Sequence, residues 1–284
     1  MIKKILFGLL FLLSSEVFSQ QNTLSDQAKV SILTCGIGLE SYAMYGHTGI
    51  RIKDTVNQID MVYNYGAFDF RTPNFIGKFI KGDLNYFITY GSFKDFYYNY
   101  RAENREIIEQ ELALSKDQIY QLFEQLNAAA NSDKRFYNYR FIDQNCTTMV
   151  VDKINIILGG EELQSLSQNQ SYREILYPYM SDFYMKLGIQ LIFGIKVDEP
   201  AIRLFLPYEF KKTITKKTID NKKIEKTNHT LLEARKTDTP FLNCCLSATV
   251  MGFLVGEPAS KAKSDQKEKW EAKRFNNCTM KGFQ

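Results

Sequence analysis

The stretch YRFIDQNCTTMVVDKI (residues 139–154) changes character at its centre. Its first half continues the aromatic run RFYNYRF, 135–141, which reads as a strand. From Cys146 on, Met149, Val150, Ile154, Ile157 and Leu158 recur at helical spacing, and Gly159 and Gly160 supply a stop. Asp143 or Asn145 stands where a helix cap belongs. Cys146 therefore falls on the first turn of a helix that follows a strand. There the free N–H groups and partial positive charge of a helix start favour a thiolate. Three readings stand on these residues alone: a packing residue, half of a disulfide, or a nucleophile.

Upstream, the pattern alternates between strands and helices. KVSILTC, 29–35, HTGIRIKD, 47–54, DMVYNYGAFDF, 60–70, LNYFITYG, 84–91, and EIIEQELAL, 106–114, read as strands. TPNFIGKFIKG, 72–82, reads as a short helix with Thr72 as cap, Pro73 at its first position and Gly82 as stop. Ser92 with Asp95, and Ser115 with Gln118, are capping pairs that open two longer helices. Strands adjacent in sequence with helices set between them indicate an α+β fold with an antiparallel sheet. Residues 163–212 read as helical and aromatic-rich. The lysine cluster from Lys211 reads as a solvated strand pair or linker, or as a basic face beside a membrane.

The net charge of +4 on 284 residues is too weak to point to nucleic acid. The first residues combine a basic MIKK, a short apolar ILFGLLFLL and a small residue at Ser19. Residues 1–19 thus read as a secretory signal peptide, with an uncleaved anchor as the alternative. The expected location is exported and periplasmic, at the membrane surface. Residues 244–284 differ in composition and read as a disordered tail. Of the five cysteines, only Cys35 and Cys146 lie in the main body, so a Cys35–Cys146 disulfide is the structural alternative for Cys146. No Cys/His cluster has zinc spacing, and neither a metal nor a cofactor is expected.

The chain has two histidines, which limits the choice of proton carrier. His229 sits among lysines without a motif and reads as a surface residue. His47 opens a strand between Gly46 and Gly49, where small neighbours admit another backbone or a ligand. A histidine on a strand with a cysteine at a helix start is the arrangement of papain-like thiol enzymes. Here the histidine comes first, as in the circularly permuted members of that group. Asn64 and Asp69, on a neighbouring strand, are candidates to orient His47. Tyr63, Tyr65 and Tyr139 would line such a site or pack the core. Arg101, Glu103 and Arg105 read as a structural ion-pair network.

The wider context is more specific. SILTCGIGLESYAMYGHTGIRIKD, DMVYNYGAFDFRTPNFIGKFIKGDLNYFI, YRAENREIIEQELALS and RFYNYRFIDQNCTTMVVDKI together resemble the extracytoplasmic domain of Lnb-type lipoprotein N-acyltransferases, in its Bacteroidetes form. The resemblance covers about residues 30–158, within a catalytic domain expected over 20–160 and followed by an extension over 161–243. It implies a circularly permuted papain-like domain. It also implies transfer of an acyl chain on the diacylglyceryl-cysteine of a bacterial lipoprotein from the glycerol to the α-amino group. Cys146 would be the nucleophile and His47 the base. Glu40 and Arg51 match the motif region and would handle the substrate head or amine. Such proteins commonly carry transmembrane helices after this domain, and no run of that length follows here. A cell-wall cysteine peptidase or amidase, and a non-enzymatic envelope lipid-binding module, are the alternatives.

Overall fold

A computed structural model describes residues 24–235 except 39, 70, 161–162, 181–182 and 220. The signal-peptide and tail readings lie outside the described residues. The fold is α+β. Its centre is a seven-stranded sheet in the order β6-β4-β3-β2-β1-β5-β9, antiparallel at every pairing. The strands are β1 (Lys29–Cys35), β2 (His47–Asp54), β3 (Ile59–Ala67), β4 (Asn85–Ser92), β5 (Ile107–Leu112), β6 (Phe136–Asn138) and β9 (Glu225–Leu232). A separate two-stranded pair joins β7 (Thr218–Ile219) to β8 (Lys222–Lys223).

β1 is an inner strand, and every residue after Lys29, the polar Ser31 and Thr34 included, is buried, so both of its faces are covered. One face carries Val30, Ile32, Ile50, Ile52 and Tyr63. Helices α3 (Lys116–Ala130), α4 (Cys146–Ile157) and α7 (Pro207–Lys216) cover it through Leu122, Leu126, Val150, Ile154, Phe210 and Ile214. The other face carries Leu33, Cys35, Val62 and Ile107 under Phe96 of α2 (Phe93–Ala102). A third cluster gathers Tyr45, Ile142, Tyr172, Leu176, Val197 and Phe205 beside the loop that leads into α4. It is built by α5 (Tyr172–Leu176), the chain after α6 (Phe183–Phe193) and the start of α7.

Local signals place several boundaries. Ser92 accepts from the Asp95 N–H at the start of α2, and Ser115 and Gln118 form a reciprocal cap on α3. α1 (Phe75–Lys81) departs from the expectation. Asn74 adopts a left-handed backbone (φ 54°), and its carbonyl accepts the first helical bond, from Lys78. Pro73 therefore lies before the helix, and Thr72 instead donates its N–H to the Asp69 carbonyl in a preceding turn. β6 is also shorter than the aromatic run suggested. After Asn138 the chain folds into a turn closed by mutual Arg140–Gln144 backbone bonds, which aims the start of α4 back at the sheet.

The helical extension and the lysine-rich segment build onto the same sheet and core. α7 contributes Phe210 and Ile214 to the main cluster. β9 pairs with β5 as an edge strand, and its exposed Lys226 bonds Glu111 of β5 at 2.7 Å. Among the described residues no helix is long and apolar enough to cross a membrane.

Candidate active site

His47 is the first residue of β2, and Cys146 is the first residue of α4. The turn before β2 needs glycine. Gly46 has φ +83°, and a Cβ there would lie 2.5 Å from the Cys35 carbonyl oxygen. In register, Cys35 faces His47 across β1 and β2, and Gly49 faces Asn64 across β2 and β3. Residues two apart on a strand share a face, so His47 and Asn64 are diagonal neighbours. Gly49, between them, has no side chain to keep them apart. A Cβ there would stand 3.1 Å from Asn64 Oδ1. Asn64 reaches across this gap, and His47 Nε2 lies 3.1 Å from its Oδ1. An amide oxygen only accepts, so Nε2 carries the proton and Nδ1 keeps its lone pair.

Asn145 sets the other half of the site. Its Oδ1 accepts from the N–H groups of Thr147 (2.8 Å) and Thr148 (2.9 Å). Its Nδ2 donates to the carbonyls of Phe141 (2.6 Å) and Phe205 (2.8 Å). Its own N–H donates to Thr148 Oγ1. Of the two cap candidates, the helix therefore uses Asn145, with its side-chain oxygen and nitrogen both engaged in the interior. Asp143 faces away, toward Lys196 at 3.7 Å. Beside the cap, Thr147 Oγ1 meets Thr48 Oγ1 at 3.0 Å in a buried contact that ties α4 to β2 one residue after each of Cys146 and His47.

These constraints bring His47 to Cys146. Burial pushes the Cys146 thiol up, but the charge and hydrogen bond of His47, the Thr48 N–H and the Thr147 hydroxyl outweigh it. The thiol ends below its usual range, as an activated nucleophile requires. Gly66, at φ +105°, brings bare backbone against the cysteine: a Cβ there would lie 3.6 Å from Cys146 Cβ. Aromatic rings wall the site. Tyr86 stacks on Tyr139 at 4.2 Å, and Tyr65 meets Tyr137 edge-on at 6.1 Å. Burial foremost, and then the charge at Cys146, pushes the Tyr86 and Tyr137 phenols up, so these rings stay neutral.

The chain matches the family described as "Lnb N-terminal periplasmic domain" over residues 15–178, more than half of its length. It belongs to that family. No curated protein and no solved structure matches it. The Lnb match spans both halves of the His47–Asn64–Cys146 cluster and identifies a periplasmic domain.

Several residues expected near the Lnb site lie elsewhere. Arg51 is buried in a closed network, with Nε and Nη2 each 2.7 Å from Asp60, Nη1 3.1 Å from Glu109, and its guanidinium 3.4 Å above the Phe93 ring centroid. Burial opposes its charge, and the two carboxylates outweigh burial. It stabilises the sheet and has no free donor fork for a substrate. Asp69 is clamped by Arg71, two residues on, and does not reach His47. Glu40 is exposed at the start of the short 3-10 turn Ser41–Ala43. Tyr63 is a core residue that donates to Asn127 Oδ1 at 2.5 Å.

The disulfide alternative is also corrected. Both thiols are free. Cys35 is buried in the layer under α2, where burial foremost pushes its thiol up to about 12. The sequence pattern points to Gly49 but not to Gly66, Thr48 or Thr147, each adjacent to a site residue or two positions from one. Among the described residues no group of three His, Cys, Asp or Glu is placed to hold a metal ion.

Proposed function

We propose that this domain is a thiol acyltransferase of circularly permuted papain-like type, acting on acylated lipoproteins of the envelope. The observation that carries the reading is the assembly of His47, held by Asn64, against a Cys146 thiol lowered below its ordinary range. Its chain order, His then Asn then Cys, is a cyclic permutation of the Cys, His, Asn order of papain. The flat ring faces of the aromatic wall favour an acyl chain over a polar cell-wall peptide. The family's description as an Lnb periplasmic domain supports a lipoprotein substrate.

The chemistry follows from the residues. His47 Nδ1 takes the thiol proton, and Cys146 Sγ attacks the ester carbonyl of the diacylglyceryl group. The C–S bond forms, the ester C–O bond breaks, and His47 returns the proton to the departing glycerol oxygen. The free α-amine of the same lipoprotein then attacks the thioester. The C–N bond forms, the C–S bond breaks, and the amine's proton passes through His47 to the sulfur. An ester has become an amide, with donor and acceptor both on the substrate. Asn145 consumes the Thr147 and Thr148 N–H groups, so the Cys146 N–H is the first-turn donor left for the oxyanion.

The test is expression of wild type and Cys146→Ala in a host lacking its own lipoprotein N-acylation, with mass spectrometry of lipoprotein N-termini. Wild type should yield an acylated α-amine with one glycerol ester lost, and Cys146→Ala a free amine. A free amine in both refutes the function. Acylation by the alanine variant refutes the mechanism.

A further inference from the structure

The Tyr137 hydroxyl is buried and has no hydrogen-bond partner. Buried polar atoms are nearly always paired, and one left alone beside a reactive group is a donor held for a ligand. Its position follows from the sheet. β6 pairs Tyr137 with Tyr86 of β4. β3 bulges next to them. Asn64 lies across from Thr89 and Ala67 from Phe87, so Tyr65 and Gly66 together oppose Ile88. Gly66 then touches both halves of the site. Its Cα stands against the cysteine, where a Cβ would fall 3.6 Å from Cys146 Cβ. Its N–H acts on the Tyr137 oxygen from outside hydrogen-bond geometry. Tyr137 and Cys146 also pack against the same core cluster. Cys146 is only partly exposed, so an ester that reaches its sulfur has entered the enclosure in which the phenol lies.

We infer that Tyr137 is a further catalytic residue, whose hydroxyl donates to the oxyanion formed on Cys146. The inference rests on the acyl-transfer reading and adds a group to its site. When Sγ bonds the ester carbonyl carbon, the C=O π pair moves to the oxygen, and preorganised donors must meet that charge. The first turn of α4 offers few of them. Asn145 occupies the Thr147 and Thr148 N–H groups, and the Thr48 N–H is turned to the sulfur. The Cys146 N–H remains, and Tyr137 supplies an O–H that nothing else accepts. It donates without losing its proton, because burial and then the charge at Cys146 hold the phenol far above its usual range. When the C–O bond breaks, the pair returns to the carbonyl, His47 protonates the glycerol oxygen and Tyr137 is unchanged. Tyr45 and Tyr65 also bury unpaired hydroxyls. Burial alone raises those two phenols, whereas the charge at Cys146 acts on Tyr137.

The experiment compares wild type, Tyr137→Phe and Tyr45→Phe in the full chain. Each is read by nitrophenolate release from a p-nitrophenyl fatty-acyl ester, by iodoacetamide alkylation of Cys146 and by thermal unfolding. Tyr137→Phe should slow acylation by about 10²–10³-fold, the scale of one lost oxyanion donor. Alkylation forms no oxyanion, so its rate should not change. The unfolding temperature should not fall, because phenylalanine keeps the ring and removes an unpaired hydroxyl. Tyr45→Phe removes another unpaired hydroxyl, in the third cluster, and should acylate like wild type. Wild-type acylation by Tyr137→Phe overturns the inference. So does an equal loss of alkylation, which would place the hydroxyl on the thiol. A lowered unfolding temperature, which would give it a structural partner, or an equal loss in Tyr45→Phe also overturns it. Mass spectrometry of lipoprotein N-termini separates the two claims. Tyr137-dependent acylation by the ester with lipoprotein amines left free refutes lipoprotein N-acylation alone. Full N-acylation by Tyr137→Phe refutes the oxyanion role alone. A wild type inert to both substrates refutes both.

Discussion

His47 Nε2 lies 3.1 Å from Asn64 Oδ1, across a glycine whose missing side chain leaves the space between them. The bond fixes the imidazole's tautomer and ring plane, so that Nδ1 is the basic nitrogen available to the thiol. Asn64→Ala should keep Cys146 and His47 yet lower kcat by about 10²-fold, the scale of a misoriented general base. KM should change little, because Asn64 has no proposed contact with substrate. The measurement is acyl transfer to lipoprotein N-termini, read against thermal unfolding. An unchanged kcat would remove Asn64 from the site.

Gly49→Ala tests the same relationship from the opposite strand. The new Cβ would stand 3.1 Å from both Asn64 Oδ1 and Val62 Cγ1, so a neighbour must give by a few tenths of an ångström. Val62 is held in the layer under α2, and the Asn64 amide is the freer of the two. The expected result is a loss of activity approaching that of Asn64→Ala with a modest loss of stability, about 1 kcal/mol. Full activity with retained folding would show that Asn64 does not need the gap.

The Cys146 thiol should be alkylated with a midpoint below the ordinary thiol range. Peptide mapping isolates its rate from those of the other cysteines. His47→Ala removes the two largest contributions that lower the thiol, leaving burial to raise it. The midpoint should therefore move up, and the rate at neutral pH should fall. Cys35 should stay unreactive throughout, its thiol pushed up to about 12 by burial. A midpoint in His47→Ala equal to that of wild type would mean that the imidazole does not act on the sulfur.

The parts of this site differ in how openly the sequence displays them. Cys146, Asn145 and the stop at Gly159 lie within one helix, and helix caps are local signals. Asn64 is readable only through register. The turn over residues 55–58 pairs Gly49 with Asn64, and a shift of one residue would send that amide to the other face. Arg51 lies on the same strand as His47, yet its partners Asp60 and Glu109 come from two other strands, and only the assembled sheet shows its fork to be filled. Asp69 was a candidate to orient His47 because its bond to Arg71 is invisible until the turn forms. The lysine-rich segment reads as a solvated strand pair, which β7 and β8 form, but the joining of β9 to the main sheet is not legible, because exposed polar side chains at the sheet edge mask its alternation.

Asn145→Ala should cost more stability than an ordinary cap. The cap contributes about 1–2 kcal/mol, and two interior carbonyls, of Phe141 and Phe205, would lose their donor as well. A loss of about 3 kcal/mol in denaturant unfolding is expected. Asn145→Asp keeps the acceptor for Thr147 and Thr148 but replaces both donations with a carboxylate facing carbonyl oxygens. It should be no more stable than the alanine variant. Its negative charge next to Cys146 should also raise the thiol's alkylation midpoint. A stable aspartate variant would show that the donations to Phe141 and Phe205 contribute little.

Asp54 gives the fold a specific acid sensitivity. Its buried carboxylate accepts from Ser25 N (2.6 Å), Ser25 Oγ (2.7 Å) and Val56 N (3.0 Å), tying the residues before β1 to the β2–β3 turn. Burial alone would raise its pKa, but the donations from Ser25, Asn57 and Val56 outweigh burial and lower it. A carboxylate depressed in the folded state contributes stability above its unfolded value, about 3.9, and loses it as pH falls through the folded value. Asp54→Asn should therefore be less stable than wild type by about 1–3 kcal/mol at pH 7. The gap should hold down to about pH 5 and close as pH falls below about 4. Urea unfolding of both proteins from pH 7 to pH 3 measures it. A gap that stays constant over that range would mean that the ionised carboxylate is not what anchors the turn.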